Sequence, residues 1–146
     1  MKQRQSVSAQ RRQAREHIVK VLYEMEIGGL EAAAARKRVI SHCKTPGVRR
    51  FACILMDAAL DHMKDLDRII LSVAENWHPS RMAALDRNIL RLGAAEILYV
   101  DEVPDKVAIN EAIEIAKMYS TENSGGFVNG ILDKVARMQS EIRDNL

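Results

Sequence analysis

Aromatic residues make up only 4% of this 146-residue chain, and there are just two cysteines, Cys43 and Cys53. With so few rings, the core must be built from Ala, Leu, Ile, Val and Met, side chains that favour helix because most of them lose little rotamer freedom there. Two cysteines in apolar surroundings do not make a disulfide framework, so they read as reduced thiols in a cytoplasmic protein. No apolar run approaches the roughly 20 residues that span a bilayer. The basic start, MKQRQSVSAQRRQAR, has no apolar stretch behind it and is not a secretory signal. The length suits a single domain over residues 1–146, with a basic arm at about 1–8.

Catalytic and metal-binding patterns are equally sparse. His17, His42, His62 and His78 form no HxxxH or HExxH pair, neither cysteine sits in a CxxC, and no GxxxxGK[ST] loop occurs. These absences point away from an enzyme, a metal site or a bound cofactor.

What is present is charge of uneven distribution and helical periodicity. The formal net charge is +2. Residues 1–20 carry six bases against one acid, residues 21–56 six against three, and residues 57–146 ten against sixteen. A basic first half suits a polyanion and an acidic second half a basic protein, although solvated helix faces would give the same count.

Apolar spacing predicts a helix capped by Ser8 and running to about Ile27, stopped at Gly28-Gly29, then another over Leu30–His42. A turn at Lys44–Gly47 leads into Val48–Trp77, too long for one globular helix and expected to break in the polar Asp61–Asp67 stretch. Punctuation at Trp77–Ser80 precedes helices at Met82–Tyr99, Asp105–Tyr119 and Phe127–Met138 or beyond. No stretch alternates with period two. The fold expected is all-α, with about seven helices.

On the first helix, Arg12, Glu16 and Tyr23 share a flank, with Arg15 between it and the core and Arg11 nearer the apolar edge. Guanidinium groups grip phosphate and a tyrosine offers a stacking face, a mixture suited to single-stranded RNA. The alternative is a surface pair between Arg12 and Glu16 with Tyr23 packed in the core. Phe127 likewise either plugs the core or stands beside the Ser120–Gly126 loop as a stacking platform.

Two stretches add a resemblance. RRQAREHIVKVLYEMEI (Arg11–Ile27) and the run from Asp86 to Arg137, with RNILRLGAAEILY, VPDKVAINEAIEIAK and FVNGILDKVA, are similar to the NusB transcription-antitermination family in order and spacing. The resemblance implies a compact bundle of two helical subdomains and a non-catalytic adaptor. Such an adaptor binds boxA RNA of nascent ribosomal transcripts together with the ribosomal protein NusE, and supports elongation by RNA polymerase. It implies RNA contacts at Arg11, Arg12, Arg15, Tyr23, Glu122, Asn123, Ser124 and Phe127, with Asn129 holding the junction. Asn123 stands where many members carry Asp, and Gly126 where many carry Lys. The first change removes a repulsive carboxylate beside RNA and the second removes a cation. The acidic residues Asp101, Glu102, Asp105 and Glu111 are the expected NusE-facing surface. Pairing of two copies into a homodimer is left open.

Overall fold

The computed structural model describes residues 6–74 and 81–146. The arm before Ser6 and the punctuation expected at Trp77–Ser80 lie outside the described residues. Eight α-helices follow in order: α1 (Val7–Gly28), α2 (Ala32–His42), α3 (Pro46–Asp61), α4 (Met63–Val73), α5 (Ala84–Tyr99), α6 (Asp105–Tyr119), α7 (Ser124–Arg137) and α8 (Gln139–Asp144). No strand occurs among the described residues. The all-α expectation holds, with a short α8 that the spacing had folded into the last helix.

The helix ends show where local chemistry was misjudged. Ser6 rather than Ser8 caps α1, its Oγ accepting the Ala9 N–H at 3.1 Å. Its exit is as expected: Gly29 adopts φ 72°, a left-handed turn that glycine enters without a Cβ clash. Pro46, read as part of a turn, opens α3 at a position where its missing N–H is not needed. The long helical stretch breaks at His62, inside the Asp61–Asp67 window. The last helix begins at Ser124, so Phe127 lies within its first turn rather than at its start.

α1, α2 and α3 pack together, while α4, α6 and α7 surround α5; α5 also lies against α1 and α3 and so joins the two groups. Phe51, Leu55, Leu66, Ile70, Ile89, Leu90 and Leu132 are fully buried in one continuous core. Close packing is sharpest where α5 crosses α7. A Cβ on Gly93 would stand 2.5 Å from Leu132 Cδ1, so only glycine fits without moving a buried side chain.

Ion pairs fasten the same helices at the rim. Glu26 on α1 accepts from Arg87 at 2.6 and 2.8 Å and from Arg91 at 2.9 Å, and Arg91 also grips Asp67 of α4 at 2.7 and 2.9 Å. Arg36–Asp57 and Arg38–Glu24 pairs tie α2 to its neighbours. The hydrogen bond from Arg87 holds the Glu26 carboxyl below its ordinary value of 4.5, against the opposing effect of burial. A depressed carboxylate stabilises the fold above the unfolded-state pKa and loses that contribution as pH falls through the folded value. Glu26→Gln should therefore reduce thermal stability at neutral pH and flatten its decline below about pH 4.5, the ordinary value. Parallel acid-melting curves for the two proteins would reject the assignment.

Candidate nucleic-acid interface

The first-helix arginines do not form a free basic stripe. Arg15 is 3% exposed, and its Nε and Nη2 clasp both oxygens of the equally buried Glu96 on α5 at 2.5–3.1 Å. Removed from water, each charge depends on the other. The Arg15 guanidinium also lies 5.0 Å from the ring of buried Phe51, and that of Arg11 lies 4.4 Å from it. Arg11 reaches Glu102 at 3.2 Å, and Arg50 approaches the same carboxylate at 3.6 Å. Arg12 bonds Glu111 of α6 through Nε at 2.6 Å and Nη2 at 3.2 Å. That bond, with nearby carboxylates, raises the already high Arg12 pKa and keeps the group charged.

Two expectations change here. The Arg12–Glu16 pair is replaced by Arg12–Glu111, a contact 99 residues apart that helical spacing could not reveal. Arginines and carboxylates expected on separate RNA and protein surfaces instead pair with one another, Arg11 with Glu102 and Arg12 with Glu111. Glu111 is buried beneath Arg12, Glu102 is held by two arginines, and Asp105 accepts from Gln139 at 2.5 Å. Asp101 alone of the four stays exposed with no hydrogen bond among the described residues.

Further along α1, Tyr23 is 40% exposed, so its ring is on the surface and not in the core. Lys20, one turn earlier, places its ammonium 5.1 Å from the ring of Tyr119, which is itself exposed. Lys20, Tyr23, Glu24, Ala83, Ala84 and Leu85 line a shallow groove of about 500 Å³. Ala83 also borders a second groove of about 320 Å³, lined by Arg81, Met82, Asp86, Thr121, Asn123, Ser124 and Phe127. The shared wall brings Tyr23 and Phe127 to one continuous surface. Phe127 is half-buried, packed against the core and also lining the groove, so it is not wholly taken up by the core.

The loop forming that second groove is fixed from below. Asp86, the first acid of α5, accepts from Ser120 Oγ at 2.5 Å and from Ser124 Oγ at 3.2 Å. Ser124 Oγ in turn accepts the Thr121 N–H at 3.3 Å. Ser124 is therefore buried as a loop support, unlike the exposed Glu122 and Asn123 beside it. Asp86, Glu96, Lys20 and Tyr119 were not singled out from sequence. The two acids left a signal, since a carboxylate inside an apolar helix requires a donor to meet it.

No group of three or more His, Cys, Asp or Glu residues among those described could hold a metal ion. No helix among them is long and apolar enough to cross a membrane.

The sequence model of the NusB family matches residues 12–137. The transcription antitermination protein NusB of Syntrophus aciditrophicus is 40% identical over 125 residues, covering 85% of this chain and 78% of that protein. A solved structure of T. maritima NusB superposes with a TM-score of 0.79 at 32% identity, covering 99% of both chains. A crystal structure of the antitermination factors NusB and NusE in complex with dsRNA contains a similar chain, with a TM-score of 0.78 at 27% identity, covering 88% of this chain and 97% of that one.

The buried pair gives a stability test. Glu96→Ala should cost about 3–5 kcal/mol, because it leaves Arg15 charged and unpaired in the interior. Arg15→Met/Glu96→Leu should recover most of that loss in chemical denaturation. A single-variant cost under about 1 kcal/mol, the range of exposed pairs, would contradict the buried geometry.

Proposed function

The chain belongs to the NusB family, and from that premise we propose that it is a non-catalytic RNA-binding adaptor of transcription antitermination. Together with NusE it binds boxA-type RNA in nascent ribosomal transcripts, in the cytoplasm, and supports processive elongation by RNA polymerase. One observation carries the placement of the RNA: Tyr23 and Phe127, more than 100 residues apart, border grooves that meet at Ala83. Arg12 lies on the same helix about 16 Å from Tyr23, at the α-helical rise of roughly 1.5 Å per residue.

This arrangement divides the work among the residues. Arg12, Lys20 and Arg81 supply positive charge for phosphates, which gives affinity that falls with salt. The exposed faces of Tyr23 and Phe127 receive unstacked bases, and Asn123 offers an amide to base edges or the sugar-phosphate chain. Stacking needs bases splayed away from a partner strand, so the RNA bound here is unpaired. Arg15 and Ser124 act beneath the surface, the first by holding α1 against α5 and the second by fixing the loop. Arg11 contributes through its partly exposed edge.

NusE takes a separate face. With Glu102, Asp105 and Glu111 engaged inside the chain, the acidic surface available to a basic protein starts from Asp101. Shared RNA contacts make binding of NusE and RNA cooperative.

A salt titration of boxA RNA binding in the presence of NusE tests the reading. The logarithm of the association constant should fall linearly with the logarithm of salt concentration. Tyr23→Ala and Phe127→Ala should each weaken binding by about 1–3 kcal/mol, the range for loss of a base–aromatic stack. A duplex of the same sequence should bind more weakly than the single strand. A flat salt dependence, or full affinity in both aromatic variants, would refute this placement.

A further inference from the structure

The Arg12–Glu111 contact suggests two opposite roles. The carboxylate either competes with RNA for the guanidinium or presents it. The burial of the two side chains decides between them. Glu111 retains 12% side-chain exposure against 40% for Arg12. Among the described residues, Arg12 supplies the only hydrogen bonds that Glu111 receives. If Arg12 swung away to a phosphate, a carboxylate would be left buried and unpaired. That cost exceeds what one added charge-assisted hydrogen bond to phosphate returns. Arg12 therefore stays on Glu111 when RNA arrives.

The donors it uses are equally telling. A guanidinium has five N–H groups in a planar fork. Glu111 takes the inner edge, through Nε and Nη2, and Nη1 makes no hydrogen bond among the described residues. The outer edge, Nη1 with the second hydrogen of Nη2, is a two-pronged donor matched to the oxygens of a phosphodiester. An arginine already fixed at its inner edge loses less rotamer freedom on binding than a free one. We propose that Glu111 is a positioning residue for RNA binding: it fixes Arg12 side-on so that the outer guanidinium edge grips one RNA phosphate. This builds on the RNA-binding role proposed above and changes the expected place of Glu111, from a NusE-facing acid to a support of the RNA surface. Glu102 does not serve Arg11 in this way, because it is shared with Arg50.

Glu111→Gln keeps the shape but weakens the grip. With the full chain, NusE and a single-stranded boxA oligonucleotide, this variant should lower RNA affinity about 3- to 10-fold and make the salt slope shallower. Arg12→Gln should lower affinity at least as much, and adding Glu111→Gln to it should change nothing further, since the effect passes through Arg12. Tighter RNA binding by Glu111→Gln would overturn the proposal in favour of competition. An equal loss in the wild-type and Arg12→Gln backgrounds would also overturn it, by showing a merely structural effect. So would unchanged affinity in either single variant. Tyr23→Ala and Phe127→Ala separate the two levels. If they weaken binding while Glu111→Gln does not, the positioning role fails and the RNA surface stands. If none of the four variants weakens it, the RNA surface fails as well.

Discussion

The placement of α1 depends on a buried ion pair. Arg15 and Glu96 are both almost sealed from water, and an interior charge is tolerated only when its partner stays in reach. The pair therefore fixes the rotation of α1 about its own axis as well as its distance from α5. Once Arg15 points inward, helical spacing puts Ile18 and Leu22 into the core on one side and Arg12, Lys20 and Tyr23 along the outer flank. Phe51 beneath the guanidinium groups closes the layer from the α3 side.

From that constraint the candidate interface follows. α5 carries Glu96 towards one end and Asp86 at the other, so a single helix positions both halves of the surface. Glu96 sets α1, which bears Arg12 and Tyr23. Asp86 sets the loop between α6 and α7 through Ser120 and Ser124, and so places Asn123 and Phe127. The rigid helix between two acids converts distant segments into one grooved face. This construction suits an adaptor, whose task is to hold two partners in a fixed relation.

The charge gradient has a different meaning in three dimensions from the one its sequence suggested. A basic first helix and an acidic second half implied two surfaces for two partners. In the folded chain much of that opposite charge is spent internally, in Arg11–Glu102, Arg12–Glu111 and Arg15–Glu96. The basic segment is thereby less a polyanion-binding stripe than a set of oriented donors. Oriented donors can favour one backbone path over another, which diffuse charge cannot.

The sequence by itself determined the helical class, most helix spans, the apolar core and the family. Those depend on local propensity, on spacing within one helix and on long matched motifs, all of which are legible along the chain. It also marked two candidate segments for RNA contact, the first by residue type and the second through the family resemblance. Only the tertiary structure decided which of those residues reach the surface. Arg15 and Ser124 turned out to be buried supports, Glu111 a partner of Arg12, and Tyr119 an exposed ring beside Lys20. The reason is physical: an arginine near the edge of an apolar arc is poised between solvent and interior. Its side of that edge depends on whether a carboxylate from a distant helix arrives to meet it.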